Sequence, residues 1–290
     1  MSARFRSWFV FLGIAISVPS YAQPSSKLHS YDLFFHWGYN RSRYLPTSLS
    51  IDGGEAYQFE LQDVQAHDDP EPFSADAYIN PGNFTIPQFN FRAGVIIDQR
   101  WHISGGWDHL KYVVSDGQRV RINGYINRGD NFTQNQYAGT YSGEEIDLSN
   151  RLLRMEHTDG LNYIHANIDY AFPLWHPKRL PLKVDALAGF GTGPVCPWTD
   201  TRLFGNFYRN PSIHFAGWGI SVNATTRLTY GRFFIENMYR VGHIGLWDIM
   251  IIRDKVSAET KINYFEHNIS VGYILPLKRV SNATKQSLEP

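Results

Sequence analysis

Two short stretches of the sequence concentrate side chains that could do chemistry. The stretch WHISGGWDH ends in Asp108 and His109, and the stretch MEHTDGLNY contains His157 and Asp159. Histidine and carboxylate side chains act as general acids and bases, and they also hold cations. The two stretches therefore indicate acid–base hydrolysis or ligand binding, provided that the fold brings them together. The third possibility is that they pin large loops in place.

A catalytic triad within the first stretch is excluded if the stretch is a β-strand. Ser104 and Asp108 would then lie about 13 Å apart, at roughly 3.3 Å per residue. A nucleophile and its base must be within hydrogen-bond reach. We therefore predict that His102 and Ser104 pack inside the fold. The candidate catalytic set that remains is Asp108, His109, His157 and Asp159.

Alternation of apolar and polar residues recurs along the chain and predicts β-strands, because successive strand side chains point to opposite faces. In the first stretch, Trp101, Ile103 and Trp107 form the apolar row. Asn237 and His267 are polar exceptions in the apolar rows of two later segments. Eight segments show the pattern, at 31–40, 88–97, 101–108, 163–172, 182–190, 217–224, 233–241 and 264–275.

The connections between these segments alternate in length. Short turns at 98–99, 173–181 and 229–231 separate long connections at 45–85, 111–160, 191–211 and 244–261. Outer-membrane barrels have short turns on one rim and long loops on the other, with an even number of strands. We predict an all-β fold, an eight-stranded antiparallel transmembrane β-barrel with long extracellular loops and both termini in the periplasm. Further alternation inside the loops, as at 57–61 and 113–126, indicates hairpins above the membrane and leaves ten strands as the rival number.

The N-terminal residues indicate export. Residues 1–22 have two arginines, an apolar run and small residues before Gln23, as in a secretory signal peptide. The apolar run is shorter than the roughly 20 residues that a spanning helix needs. We predict a signal peptide at 1–22, the barrel at 23–277 and a periplasmic tail at 278–290.

Composition excludes several function classes. Lysine and arginine number 27 against 27 aspartate and glutamate, whereas a nucleic-acid-binding domain is usually strongly basic. Cys196 is the single cysteine, so no internal disulfide stabilises the fold. No later apolar run is long enough for a transmembrane helix.

With its GWDHLKYV, EHTDGLNYI and YGRFFIE blocks, the chain resembles the small outer-membrane β-barrels of Gram-negative bacteria, the class that includes OmpA, OmpX and the lipid A deacylases. It is most similar to a group of barrel proteins that carry such blocks, which have no assigned chemistry. The resemblance implies placement in the bacterial outer membrane by the barrel-insertion machinery, among outer-membrane lipid and lipopolysaccharide. The histidine, serine and asparagine pattern of the serine deacylases is absent.

An eight-stranded barrel is just wide enough to be filled by its own side chains. Unpaired charges in a dry interior are very costly, so the inward-facing charged residues should pair with one another. These residues include Arg92, Asp108, Asp169, Glu236, Arg240 and Glu266. We therefore predict a packed lumen rather than a diffusion pore.

The first long connection is acidic, and HDDPEP at 67–72 could bind Ca²⁺ through its oxygen ligands. The competing interpretation is a solvated acidic loop, because the ligands show no ordered spacing. No other cofactor is predicted. We predict a non-enzymatic surface or envelope protein that acts through its outer loops, with a hydrolase of lipid A or phospholipid as the alternative.

Overall fold

The computed structural model describes residues 31–80, 82–83, 85–210 and 214–277. The predicted signal peptide at 1–22 and tail at 278–290 lie outside the described residues and stay predictions. The described chain consists of strands with two short helices, α1 (Ala75–Tyr78) and α2 (Phe132–Gln136). No helix in this part of the chain is long and apolar enough to cross a membrane.

The strands are β1 (Tyr31–Tyr44), β2 (Thr47–Asp52), β3 (Tyr57–Val64), β4 (Ala66–His67), β5 (Phe89–Ile97), β6 (Trp101–Val114), β7 (Gln118–Ile126), β8 (Gly139–Leu148), β9 (Leu153–Trp175), β10 (Leu182–Pro197), β11 (Thr199–Leu203), β12 (Asn206–Asn210), β13 (Gly217–Tyr230), β14 (Phe233–Ile252) and β15 (Val256–Pro276).

Eight of these strands form a closed antiparallel barrel. The order around the ring is β1, β5, β6, β9, β10, β13, β14 and β15, and β15 pairs with β1 to close it. Each of the eight contains one of the segments predicted from alternation, so the eight-stranded barrel is confirmed and the ten-stranded alternative is wrong. The remaining strands pair beyond one end of the ring.

The other strands build a second layer, which we call the cap. It comprises β2, β3, β4, β7, β8, β11 and β12 with the extended ends of the barrel strands. β2 pairs with residues 257–260 of β15. Beyond β2, the sheet continues with β3, β7 and β8, each paired with the one before it. On the other side, β11 pairs with the end of β9 that lies in the cap, and β4 pairs with the end of β6. The cap lies at the end of the barrel opposite to Tyr31 and Pro276.

Side-chain polarity reverses between the barrel and the cap, as β14 shows. In the barrel, Phe233 and Ile235 point outward and are exposed, while Glu236 points inward and is buried. Beyond residue 243, Ile244 and Leu246 occupy the inward positions and are buried. Apolar side chains face outward where lipid surrounds the barrel, and they face inward where water does. Among the described residues, thirty buried hydrophobic side chains form the core of the cap.

The reversal explains where the predicted loops differ from the structure. The connection at 244–261 is not a loop, because β14 and β15 continue through it and turn at 253–255. The predicted hairpin at 113–126 is also wrong, since β7 pairs with β3 and β8, while the end of β6 pairs with β4. Alternation persists in these segments, but their apolar row faces a protein core instead of lipid.

The outward surface of the barrel forms an apolar belt bounded by aromatic residues. On β13 the belt runs from Trp218 to Tyr230, which is about 40 Å along the strand. A strand tilt of roughly 40° reduces this to about 30 Å, the thickness of a bilayer's hydrocarbon core. Within the belt, the two polar exceptions pair with each other, because His267 Nε2 lies 2.7 Å from Asn237 Oδ1.

Candidate functional site: the filled lumen and the outer face of the cap

The barrel lumen contains a buried network of charges centred on Asp108. His165 Nε2 lies 2.9 Å from Asp108 Oδ2. Asn90 Nδ2 donates to Asp108 Oδ1 at 2.5 Å and to Glu266 Oε1 at 2.7 Å. The Arg240 guanidinium contacts Asp108 and lies 3.4 Å from Glu266 Oε2. The sequence-based prediction of a self-paired lumen is confirmed here.

Two further ion pairs fill the same interior. Arg92 lies 3.4 Å from Asp169, which also accepts a hydrogen bond from Asn223 at 2.8 Å. Nearer the end of the barrel at which Tyr31 lies, Arg227 pairs with Glu236 at 2.6 Å. Each of these charged side chains is at least nine-tenths buried. Burial of paired charges of this kind is tolerated because every carboxylate faces a donor.

Apolar layers bound the network at both ends. Phe34, Ile96 and Phe234 pack together at the end of the barrel where Tyr31 and Pro276 lie. On the opposite side lies the core of the cap, into which Tyr163 and Tyr264 project from the barrel strands. Among the described residues, side chains therefore fill the lumen between these two layers.

Two of the four predicted catalytic residues, Asp108 and His109, point in opposite directions from β6. Asp108 faces the lumen, as described above. His109 is on the outer side of β6, where its ring stacks on Phe89 at 5.2 Å and Nδ1 lies 3.0 Å from Asn162 Oδ1. Strand alternation separates the two neighbours, so they do not share a site.

His157 and Asp159 lie in the cap. Their strand, β9, pairs with β6, and His157 lies opposite Tyr112. His157 is completely buried in the apolar core, where Nδ1 lies 3.2 Å from Thr199 Oγ1. This burial lowers the pKa of His157 to about 4. Asp159 is on the surface and contacts Arg209 at 2.5 Å.

The structure therefore does not bring the four residues together. Asp108 lies in the lumen, His109 on the outer side of β6, His157 in the core of the cap and Asp159 on its surface. A nucleophile, base and orienting group must be in contact to act as a unit. The hydrolase alternative stays a prediction from the sequence, without a common site for its residues.

The acidic segment at 67–72 directs its carboxylates to different partners. Asp68 Oδ2 accepts a hydrogen bond from the Ser42 backbone N–H at 3.0 Å, and Glu71 pairs with Lys111 at 2.7 Å. Burial raises the pKa of Asp68. No group of three or more histidine, cysteine or acidic side chains in the described ranges could hold a metal ion. Ca²⁺ binding at HDDPEP has no assembled ligand set behind it and stays a prediction.

Sequence reasoning missed a groove on the outer face of the cap. Its volume is about 460 Å³, and β2, β3, β14 and β15 form its floor. Trp247 forms one wall and is half exposed. The other residues around it are mostly hydroxyl-bearing or charged: Thr47, Ser48, Ser50, Glu60, Glu259, Thr260 and Lys261, with Gly245 and Leu246 beside Trp247. The signal in the sequence was IGLWDIMII, an apolar run that contains a tryptophan and lies in a predicted loop.

Comparison with known proteins gives distant likenesses among solved structures. The first is the solid-state NMR structure of the outer membrane protein AlkL in lipid bilayers, at 10% identity and a TM-score of 0.39, over 92% of this chain and 100% of that one. The attachment invasion locus protein Ail of Yersinia pestis, bound to the heparin analogue sucrose octasulfate, has 9% identity and a TM-score of 0.31, over 85% and 99%. Neisserial surface protein A has 10% identity and a TM-score of 0.31, over the same shares.

No protein-family model matches the sequence, and no curated protein matches it either. Likenesses of this strength assign no function, so function must be argued from the geometry above.

Proposed function

We propose that the protein is an outer-membrane β-barrel that holds its cap at the cell surface. Its role there is structural or ligand-binding, not enzymatic. The barrel acts as the anchor and the cap provides the exposed surface. This proposal combines three features of the described residues: the apolar belt, the filled lumen and the separately packed cap.

The belt supports placement in a membrane. Outward side chains such as Ile168, Val222 and Ile269 are about half exposed. Contiguous apolar surface of this extent is unfavourable in water, whereas lipid accommodates it. The aromatic residues at both edges of the belt match the interfacial girdles of outer-membrane barrels.

The contact between Arg240 and Asp108 is the observation that carries the proposed role. It joins opposite walls of the barrel, so the lumen at that level is closed by an ion pair. A passive pore needs a wider barrel with a hydrated channel. The protein's contacts with its surroundings are therefore made through its outer surface.

The proposed orientation is the one that outer-membrane barrels share. Outer-membrane barrels keep short turns and termini in the periplasm and project their longer connections outward. Under this proposal the cap stands outside the cell, among lipopolysaccharide, and the barrel-insertion machinery assembles the chain from the periplasmic side.

Cell fractionation with surface labelling tests the proposal. The full chain should be in the outer-membrane fraction. In a Cys196→Ser background, which removes the native free thiol, a cysteine introduced at Thr140 in the cap should react with an impermeant maleimide on intact cells. A cysteine at Lys183, at the other end of the barrel, should react only after the outer membrane is permeabilised. Recovery in the soluble periplasmic fraction, or the reverse labelling, would overturn it.

A further inference from the structure

We infer that the outward face of β10, β13, β14 and β15, continued in the cap by β2 and β3, is a binding strip for a glycolipid of the surrounding leaflet, with the chemistry of lipopolysaccharide. The inference rests on the proposed function, because it requires the belt to lie in the outer membrane. The strip has three tiers, one above the other, for acyl chains, an anionic head and sugars.

The lowest tier is apolar and lies within the belt. A shallow groove of about 220 Å³ is lined by Phe190, Ile220, Val222 and Val241. All four side chains are exposed on the outward surface. An acyl chain laid along this groove would bury apolar surface on both partners.

The middle tier is polar and marks the edge of the belt. His243 and Asn263 line the upper end of the apolar groove and face each other across the two strands, with Nδ1 of the histidine 2.7 Å from Oδ1 of the asparagine. The next outward pair is Gly245 and Lys261. Lys261 is exposed, and within the described ranges its ammonium has no hydrogen bond or ion pair. A free cation at this height is positioned for the phosphate or acidic sugar of a lipid head.

The neighbouring strand β13 shows where this tier lies relative to the apolar belt. Gly245 pairs with Trp218, the residue at which the apolar belt ends on β13. Tryptophan side chains prefer the membrane–water interface. The groove on the cap therefore begins where the hydrocarbon layer stops, and it opens sideways into the sugar-bearing layer of the leaflet.

The upper tier is the groove of about 460 Å³, and its chemistry suits saccharides. Trp247 offers a half-exposed indole on which a sugar ring can stack. Glu60 and Glu259 flank Ser50 in one row across three strands, so these acceptors for sugar hydroxyls span roughly 10 Å. The carboxylates lie farther from the membrane than Lys261, which leaves the lipid phosphates next to the cation.

Gly245 gives the strip an open floor. A Cβ added at this position would meet nothing within 4 Å, so a side chain can leave the backbone here without a clash and extend into the groove. Gly105 on β6 has the same open space but lies on another part of the belt. Gly245→Leu and Gly105→Leu are therefore a matched pair, of which only the first obstructs the strip.

Binding of defined lipids to the purified full chain in detergent micelles tests the inference. The probes are rough lipopolysaccharide, lipid A without sugars, phosphatidylglycerol and the soluble core oligosaccharide. We expect the protein to bind rough lipopolysaccharide about tenfold more tightly than lipid A. Gly245→Leu should remove that difference, whereas Gly105→Leu should keep it. Lys261→Gln should weaken binding of both anionic glycolipids, while Lys255→Gln at the tip of the cap should not.

Three results would overturn the inference: equal affinity for rough lipopolysaccharide and lipid A, equal effects of the two leucine variants, or binding of the free oligosaccharide as tight as that of the glycolipid. None of these affects the proposed anchor and cap. Failure of the surface-labelling experiment would instead refute the proposed function itself, so the two failures are distinguishable.

Discussion

Arg240 on β14 contacts Asp108 on β6, and these two strands are four positions apart in the ring of eight. They therefore stand on opposite walls of the barrel. The same guanidinium lies 3.4 Å from Glu266 on the adjacent strand β15. A single arginine thus connects two carboxylates across the full width of the lumen, and it makes the interior a packed core.

Removing this arginine should destabilise the barrel. In Arg240→Met, Asp108 and Glu266 lose their cation while staying completely buried. Breaking a buried ion pair by removing one partner costs about 3–5 kcal/mol. We expect a loss of that order in the free energy of unfolding, measured by urea titration in lipid vesicles. The triple variant with Asp108→Asn and Glu266→Gln should recover much of the loss. An Arg240→Met variant as stable as the wild type would contradict the described network.

The belt predicts how surface charges are tolerated. Val222→Arg places a cation on the outward surface of the barrel, where it should cost about 2–4 kcal/mol near the bilayer midplane. Thr140→Arg places the same side chain on the exposed surface of β8 in the cap, where water solvates it. Unfolding titrations should show that Val222→Arg is less stable than Thr140→Arg. Equal stabilities would mean that lipid does not surround the belt.

His157 predicts a specific dependence of stability on pH. Its pKa is about 4 in the folded chain and 6.5 when exposed, so acid protonates the unfolded state first. Its contribution is complete above pH 6.5 and should decline by about 3 kcal/mol as the pH falls to about 4. Unfolding titrations between pH 7 and pH 4 measure this slope. His157→Leu should reduce this slope, and His67→Leu, at an exposed position, is the control. An unchanged slope in His157→Leu would show that His157 is not buried as a neutral ring.

The core of the cap should be separable from the barrel by mutation. Leu61 on β3 is completely buried, and truncation of such a residue to alanine typically costs about 2–5 kcal/mol. Leu61→Ala should expose the cap to limited proteolysis on intact cells while the barrel keeps its heat-modifiable migration on a gel. Leu45→Ala, at an exposed position, is the control. If Leu61→Ala abolished the heat-modifiable migration of the barrel as well as the protease resistance of the cap, the barrel and the cap would fold as one unit.

The placement of the four candidate catalytic residues predicts that envelope lipids stay unmodified. Expression of the protein should leave the masses of lipid A and phospholipids unchanged, as read by mass spectrometry. A change that His157→Ala abolishes without loss of the folded barrel would instead revive the hydrolase alternative. Its chemistry would then require the cap to rearrange, because His157 is enclosed in the apolar core.

The strand pattern was predictable because alternation is a local property. Trp101, Ile103 and Trp107 are exposed on the belt, and His102 and Ser104 are buried, as the sequence indicates. The cap was not predictable in the same way. An alternating segment looks alike whether its apolar row faces lipid or a protein core, so alternation alone predicts that the long strands end at the membrane. The pairing of β7 with β3, instead of with β6, depends on contacts distant in sequence.

The sequence by itself determined the eight barrel strands and the charged interior that they enclose, because both follow from the period of two along each strand. Tertiary structure decided where the candidate residues of WHISGGWDH and MEHTDGLNY point. Asp108 and His109 are neighbours in sequence but lie on opposite faces of β6, and His157 is enclosed by strands from distant parts of the chain. It also placed Trp247 beside Glu60 and Lys261, since strand pairing across the cap joins residues that are nearly two hundred positions apart.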